Sequence, residues 1–426
     1  MARWCYTIVF YLITPLILLR LCYRATKASA YSKRIAERFG LFAAPELRDK
    51  LQDSIWVHSV SVGETIAVAP IVKRLQQQFP ASRIVVTTMT PTGSERVRAL
   101  FGDTVFHVYA PYDLPGSIKR FLKRVQPKLL VIMETELWPN TLHYCRKYTI
   151  PVVLANARLS AKSAAGYQRL SLLTKPVLGN LSTVVAQSQA DADRFLSLGL
   201  AAEHIEVSGS IKFDIEISDE LKEKASQLKF QWSLDGQRLI FLAASTHNGE
   251  DDIILQAFKA ALNTHPQLLL VLVPRHPERF DQVVNLSQQF GFSTRRRSTG
   301  AALDMDTQVV IGDTMGELLL FYGCADIAFV GGSLVNTGGH NILEPAAWGL
   351  PIVIGESDFN FLEISRMLQQ QGALTKVTDS DSLAQALLTL MNAEQKRIQM
   401  GAAALAVVTS NRGALDRLMS VINRYV

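Results

Sequence analysis

Acidic and basic side chains follow several of the short apolar runs in this 426-residue sequence. Glu64 lies in the motif HSVSVGET (58–65), which follows the first such run and opens a helical pattern. A carboxylate beside a ligand can act as a general base. The alternative is an acid at a helix start, where the helix dipole favours negative charge. The spacing alone leaves both interpretations open.

A second acidic motif, METELWPN (133–140), ends another apolar run and carries Glu134 and Glu136. We expect one or both acids to face a ligand; the alternative is a buried ion-pair partner followed by a helix cap. Lys212, in GSIKFD (209–214), lies near a predicted domain boundary and could stabilise a developing phosphate charge. An ordinary surface lysine is the alternative at that position.

The second half of the chain has a series of motifs typical of a nucleotide site, each after an apolar run. Arg275 lies between two prolines, and turns at Gly312 and Gly331 offer backbone N–H groups that suit phosphate. Glu344, one turn into a helix, could bind both hydroxyls of a ribose. The motifs are STHNGE (245–250), PRHPERF (274–280), GDTMGEL (312–318) and GGSLVNTGGHNILEPAA (331–347).

The sequence lacks the motifs of several other kinds of enzyme. The sequence has no H-E-x-x-H, G-x-S-x-G or P-loop pattern, and its histidines are dispersed among separate segments. The four cysteines show no C-x-x-C pairing, which favours a reducing compartment. We therefore expect no metal site and no disulfide framework.

The net charge of +6 has a single origin. Residues 1–40 contain seven basic residues and one acidic residue, so the rest of the chain is neutral. A nucleic-acid binder needs a basic working surface, which this body lacks. The segment Trp4–Tyr23 is apolar apart from Arg20 and is long enough for a helix of roughly 30 Å.

This segment predicts a single membrane anchor, with the body on the cytoplasmic side because basic residues follow it. An interfacial helix and a cleaved signal peptide ending near 28–30 are the alternatives.

Short β-rich runs alternate with amphipathic helical stretches, which indicates the α/β class with parallel sheets. Two series of runs flank the charge-dense segment 215–232, so we predict two doubly wound domains with a boundary near 208–235. Two such domains facing a cleft would place the reaction between them. The predicted strands are Ser54–Val60, Arg83–Thr88, Leu129–Met133, Val152–Asn156, Thr183–Gln187, Leu239–Ala243, Leu268–Val273, Gln308–Ile311, Ile327–Val330 and Ile352–Ile354.

These motifs together, with TTMTPTGSERV (87–97) and YDLPGSIKRFL (112–122), resemble the lipid A Kdo transferases, where Kdo is 3-deoxy-D-manno-octulosonic acid. The resemblance covers essentially the whole chain. It implies a GT-B glycosyltransferase fold with an anchor at 1–30, an acceptor-binding Rossmann-like domain at 31–225 and a CMP-Kdo-binding Rossmann-like domain at 226–426.

The resemblance also implies a reaction and its residues. The family moves Kdo from CMP-β-Kdo to a tetraacylated lipid A precursor at the inner membrane, with inversion and without a metal or another cofactor. Glu64 matches the general base, and Glu134 and Lys212 match groups that stabilise the transition state. The CMP contacts match Pro274, Arg275, Met315, Gly316, Glu317, Asn341, Ile342, Leu343 and Glu344.

One position departs from the family pattern. Glu356 stands where a proline is common in the motif G-P-x-x-x-N-F, which leaves the rigidity of this loop open. A GT-B transferase using a UDP-sugar on a lipid acceptor and a catalytically inactive membrane-binding module are the competing interpretations.

Overall fold

The computed structural model describes residues 1–42 and 51–426. The chain forms two compact units, one of Met1–Asp214 with Arg412–Val426 and one of Ile215–Asn411. We call these the first and the second unit and describe each by itself.

The first unit is built on a parallel seven-stranded sheet of order β3-β2-β1-β4-β5-β6-β7. Its strands are β1 (Ser54–His58), β2 (Ile84–Thr88), β3 (Phe106–Tyr109), β4 (Pro127–Met133), β5 (Val152–Ala157), β6 (Thr183–Ala186) and β7 (Ile205–Val207). Its helices are Ala2–Lys27, Val62–Gln78, Pro91–Phe101, Pro115–Val125, Pro139–Lys147, Ala161–Arg169, Ser171–Leu178, Gln189–Ser197 and Ala414–Ile422.

The order of this sheet decides where a ligand can bind. The chain moves outward from β1 in one direction and from β4 in the other, so these two neighbours flank the topological switch point. Ligands of open parallel sheets bind outside the carboxyl ends of the strands at such a point. Glu64, in the first turn of the helix after β1, and Glu134, directly after β4, are two of the predicted catalytic residues.

The C-terminal tail belongs to the first unit, although the sequence-based division assigned 412–426 to the second domain. Leu418 and Ile422 are fully buried in the same apolar cluster as the sheet residue Ile55. The carboxylate of Asp214 accepts hydrogen bonds from the backbone N–H groups of Gly413 and Leu415, at 2.6 Å each. These contacts fix the helix Ala414–Ile422 against the sheet.

The N-terminal helix Ala2–Lys27 packs on the first unit along one face. Thr7, Thr14 and Leu21, spaced by seven residues, are buried, whereas Leu12 and Leu19 on the other side are 73% and 66% exposed. Among the described residues this is the one helix long and apolar enough to cross a membrane, with a mean hydropathy of 1.9.

The second unit has a parallel seven-stranded sheet of order β10-β11-β9-β8-β12-β13-β14. The strands are β8 (Ile240–Thr246), β9 (Leu269–Pro274), β10 (Thr294–Arg296), β11 (Val309–Ile311), β12 (Ile327–Val330), β13 (Ile352–Ile354) and β14 (Leu374–Lys376). The helices are Asp219–Trp232, Glu250–Leu262, Phe280–Gln289, Leu318–Cys324, Leu343–Ala347, Leu362–Gln370, Ser380–Asn392 and Glu394–Asn411.

All ten strands predicted from apolar runs are present, with ends within three residues of the prediction. The four strands that the sequence missed are β3, β7, β10 and β14, which are the edge strands of the two sheets. Edge strands are only partly covered, so they lack the continuous apolar run that marks a buried parallel strand.

The C-terminal helix gives a stability prediction. Leu418→Ala removes a fully buried side chain, and we expect it to lower the free energy of unfolding by about 2–5 kcal/mol. Leu405→Ala, at a position 39% exposed, is the matched control and should cost much less. Urea denaturation followed by circular dichroism measures both variants, and equal losses would contradict the proposed packing of the tail.

Candidate functional site

Glu64 is held by the N-terminus of its own helix. Ser61 caps the helix Val62–Gln78, accepting from the Glu64 N–H at 3.3 Å and donating its hydroxyl to Oε1 at 3.0 Å. The second carboxylate oxygen accepts from the Val60 N–H at 2.8 Å. The carboxylate is therefore both a helix-start acid and a group in a fixed position, so the two sequence interpretations are compatible.

The protonation of Glu64 reflects its surroundings. Burial raises its pKa above the ordinary value of 4.5, against the opposing hydrogen bonds from Val60 and Ser61, and the charge of Glu134 raises it further. The pKa of Glu136 is raised to about 6, mainly by burial and then by the charge of Glu64. The structure thus brings three carboxyl groups of the first unit into electrostatic contact, and such groups are suited to acid–base chemistry.

Lys212 interacts electrostatically with one of these acids, Glu134. Lys212 lies in the short 3₁₀ turn Ile211–Phe213, where burial lowers its pKa, Glu134 raises it and Arg158 lowers it. Glu134 itself follows β4 in a left-handed conformation with φ of 57°, and its N–H donates to the Ala155 carbonyl at 3.0 Å. The structure therefore places the three predicted catalytic residues Glu64, Glu134 and Lys212 in one interacting group.

Asn156 is an organising residue that the sequence patterns did not single out. It is fully buried at the end of β5 with φ of 52°, at an irregularity in the pairing of β5 with β6. Its Oδ1 accepts from the Ile211 N–H at 3.2 Å, which positions the turn that carries Lys212. Its buried Nδ2 has no hydrogen-bond partner within residues 1–42 and 51–426. An asparagine directly after a buried strand was the available signal.

In the second unit, a buried carboxylate occupies the glycine turn that we predicted to bind phosphate. Glu250 is fully buried, and its Oε2 accepts from the N–H groups of His247 and Gly332 at 2.8 and 2.7 Å. Its Oε1 accepts from Ser333 and Leu334 at 3.0 and 2.9 Å. The interpretation of the turn 331–333 as a phosphate site is therefore wrong, because its N–H groups already bind Glu250.

Glu344 and Asn341 form the centre of the predicted nucleotide site. Asn341 donates from Nδ2 to the Glu344 carboxylate at 3.0 Å and accepts from the Leu343 N–H at 3.1 Å. Burial raises the pKa of Glu344, while the Asn341 hydrogen bond and the charge of Arg275 oppose that rise. Arg275, exposed after β9, is thus within electrostatic reach of Glu344, as a joint nucleotide site requires. Ile342 is buried beside them.

The remaining residues predicted to contact the nucleotide differ in their solvent exposure and in their hydrogen-bond partners. Met315 is 69% exposed, and Gly316 follows it with φ of 87°. Glu317 is engaged by Arg297, with N–O distances of 3.1 and 2.9 Å, and by the Thr314 hydroxyl. Burial acts to raise the pKa of Glu317, but these hydrogen bonds outweigh it and lower the pKa. Pro274 is buried as the last residue of β9.

Three histidines that the sequence disperses come together in the second unit. The Nε2 atoms of His247 and His340 lie 2.7 Å apart with stacked rings, and His276 contacts His247 edge-on at 5.3 Å between centroids. Burial lowers the pKa of His340 to about 4, so this ring is neutral at pH 7. No group of three or more ligating side chains within residues 1–42 and 51–426 has the arrangement of a metal site.

Comparison with known proteins identifies the family. Residues 33–215 match the family model of 3-deoxy-D-manno-octulosonic-acid transferase (kdotransferase), and residues 225–407 match that of glycosyl transferases group 1. The 3-deoxy-D-manno-octulosonic acid transferase of Haemophilus influenzae is 46% identical over 427 residues, covering 100% of this chain and 99% of that protein. The chain belongs to the 3-deoxy-D-manno-octulosonic acid transferase family. The Bordetella pertussis transferase is 33% identical over the full length of both chains.

The Kdo transferase is thus a glycosyltransferase of lipopolysaccharide biosynthesis, and its two Rossmann-like units form the GT-B fold. UDP-GlcNAc 2-epimerase from Neisseria meningitidis has the same fold, with a TM-score of 0.57 and 13% identity over 87% of this chain and 100% of that chain. At this identity the likeness concerns the fold alone.

Glu356, the residue that departs from the family pattern, has a partner in this Kdo transferase. Lys376 lies 3.7 Å from the Glu356 carboxylate and 2.9 Å from that of Asp358. Glu356 is exposed, whereas Asp358 is buried, so the shorter contact is the one that fixes this loop. The negative charge of Glu356 therefore lies near the positive charge of Lys376.

The Glu250 contacts give a second stability prediction for the Kdo transferase. In Glu250→Gln one carboxylate oxygen becomes an NH₂ group, so two backbone N–H groups lose their acceptor whichever way the amide lies. At about 1.5–3 kcal/mol for each hydrogen bond to a charged group, we expect a loss of at least about 3 kcal/mol of unfolding free energy.

Asp252→Asn is the control, because Asp252 is exposed in the first turn of the same helix. Its loss of a favourable charge at the helix start should cost less than about 1 kcal/mol. Chemical denaturation measures both variants, and a Glu250→Gln variant as stable as Asp252→Asn would refute the structural role of the carboxylate.

Proposed function

We propose that the enzyme transfers Kdo from CMP-β-Kdo to the tetraacylated lipid A precursor, lipid IVA, with inversion at the anomeric carbon. The observation that carries this proposal is the group of Glu64, Glu134 and Lys212 at the switch point of the first sheet, in a chain that belongs to the Kdo transferase family. Glu64, a partly buried carboxylate of raised pKa, interacts with Glu134, and Glu134 interacts with the partly buried Lys212, so the group contains both a base and a positive charge.

Glu64 is the general base in this proposal. It takes the proton from an acceptor hydroxyl as that oxygen forms a bond to C2 of Kdo, while the bond from C2 to the phosphate oxygen breaks. CMP leaves with the bonding electron pair. The hydrogen bonds from Val60 and Ser61 hold the carboxylate in a fixed orientation, which reduces the entropic cost of reaching the transition state.

Glu134 and Lys212 stabilise the charges that develop during transfer. Positive charge builds on the sugar, and the carboxylate of Glu134 stabilises it. Negative charge builds on the leaving phosphate, and the ammonium group of Lys212 stabilises it. Lys212 is desolvated, so its charge acts more strongly than a surface charge would. The proposal needs no metal or other cofactor, because Lys212 and backbone N–H groups supply the positive charge.

The second unit binds the donor nucleotide in this proposal. Glu344, oriented by Asn341, accepts hydrogen bonds from the ribose hydroxyls, and Arg275 binds the phosphate. The loop after β11, with Met315, Gly316 and Glu317, contacts the base of the nucleotide. The carboxylate of Glu317 is already bound to Arg297, so this residue contacts the base through its other atoms.

The N-terminal helix attaches the enzyme to the cytoplasmic side of the inner membrane in this proposal. Its outer face is apolar and exposed, whereas Arg3 and Thr7 on its inner face bind Asn140 Oδ1 at 2.9 and 3.1 Å. These polar contacts favour the interfacial arrangement over a helix that crosses the bilayer, since a crossing helix would have to leave them. The acceptor lipid shares that surface.

Glu64→Gln tests the base directly. We expect the variant to fold and to bind CMP, seen as an unchanged thermal shift, while kcat falls by about 10²–10⁴ because the amide cannot take the proton. Glu95→Gln, an exposed position on the helix Pro91–Phe101, is the matched control and should retain full transfer. Full activity in Glu64→Gln, measured by mass spectrometry of the lipid product, would rule out this base.

The pH dependence gives an independent test. A base must be deprotonated, so kcat/KM falls as the pH drops through the pKa of Glu64. Because burial and Glu134 raise that pKa, the midpoint of the acid limb should lie above 4.5. The limb should persist in Glu136→Gln, since Glu64 remains. A midpoint at or below 4.5, or loss of the limb in Glu136→Gln, would contradict the assignment to Glu64.

A further inference from the structure

The first unit contains an apolar cavity of about 180 Å³ beneath the N-terminal helix. Phe10 and Ile17 of that helix form one wall, and Trp138 forms another. The opposite side is formed by strand residues and by residues just after the strands, including His58, Ala110 and Ile132. An apolar cavity of about 150 Å³ is already sufficient to bind a benzene-sized molecule, so this one can hold a stretch of hydrocarbon.

Asp113, Thr141 and His58, which line the cavity, have hydrogen-bond partners in the protein. Asp113 accepts hydrogen bonds from the N–H groups of Asn140 and Thr141 at 2.9 and 2.7 Å, and from the Thr141 hydroxyl at 2.7 Å. Nδ1 of His58 lies 2.9 Å from the Thr87 hydroxyl, and burial lowers the pKa of this histidine to about 4, so it is neutral. The cavity therefore offers little to a charged ligand and suits an apolar one.

Its position connects the membrane-facing helix with the catalytic group. β1 and β4, which contribute His58 and Ile132 to the cavity, are the strands that lead into Glu64 and Glu134. On the far side of the wall, the same helix exposes apolar side chains such as Leu16, which is 63% exposed. A lipid whose polar end lies at the carboxylates would have its hydrocarbon next to this cavity.

We infer that the cavity under the helix Ala2–Lys27 binds one acyl chain of the lipid acceptor. This inference rests on the proposed function, because it takes the acceptor to be an acylated lipid that reaches Glu64. The bound chain fixes the position of the acceptor relative to the base, so it lowers KM for the acceptor and leaves donor binding unchanged.

Filling the cavity tests the inference. Ile17→Phe narrows it from the helix side, and Ala110→Leu narrows it from the sheet side. Ile13→Phe is the matched control, because Ile13 lies on the same helix and is 42% exposed. With folding checked by thermal denaturation, we expect KM for the tetraacyl acceptor to rise about tenfold in both cavity variants, with KM for CMP-Kdo unchanged. An unchanged acceptor KM in a folded cavity variant, or an equal rise in Ile13→Phe, would overturn the inference.

Photolabelling supplies a readout that does not depend on turnover. An acceptor analogue with a diazirine on one acyl chain should label the segments around Ile17 and Trp138 in the full-length enzyme, and excess unlabelled acceptor should abolish this labelling. Labelling by a diazirine phospholipid that the acceptor does not compete with would assign the cavity to bulk lipid and overturn the inference. If the wild-type enzyme transfers no Kdo, the proposed function fails, while the labelling result still decides the occupant of the cavity.

Discussion

In each unit, seven parallel strands are covered on both faces by helices, and this double coverage sets the position of every functional loop. Parallel strands end at the same edge of a sheet, so each strand delivers the residues that follow it to one side of the unit. The strands that flank the switch point then bring Glu64 and Glu134 into electrostatic contact, although they are 70 residues apart in the chain. The helices fill the two faces, so the carboxyl edge is where polar side chains can serve a ligand.

Buried carboxylates that accept backbone N–H groups recur at these edges. Asp113 binds the start of the helix Pro139–Lys147, and Glu250 binds the turn after β12. The partly buried Asp214 does the same for the C-terminal helix. A desolvated carboxylate is costly unless it is hydrogen-bonded, and unpaired N–H groups of loops and helix starts are costly as well. Each pairing reduces both costs and fixes the backbone of a loop or a helix start.

Unlike these structural carboxylates, Glu64 is only partly stabilised by its hydrogen bonds. Glu64 accepts two hydrogen bonds but is also desolvated and repelled by Glu134, so its pKa is raised and the carboxylate retains an affinity for a proton. Burial lowers the pKa of Lys212, whereas the charge of Glu134 raises it. The strands β1 and β4 contribute His58 and Ile132 to the apolar cavity under the N-terminal helix, and the same strands lead toward Glu64 and Glu134.

The sequence by itself determined the ten central strands, the apolar N-terminal segment and the motifs that carry Glu64, Glu134, Lys212, Arg275 and Glu344. These features are local, because a buried strand needs a continuous apolar run and a site residue follows such a run directly. The tertiary structure decided which distant segments meet. It gave the four edge strands, which are too exposed to show an apolar run, and it returned the helix Ala414–Ile422 to the first unit.

Tertiary contacts also decided what several motif residues do. The turn 331–333 looked suitable for phosphate, yet Glu250, more than 80 residues earlier, takes its N–H groups. His247 and His340 looked unrelated, yet strand order places their Nε2 atoms 2.7 Å apart. A sequence pattern reflects burial and local conformation. The partner of a polar group depends instead on the order of strands in the sheet. No local pattern predicts that order.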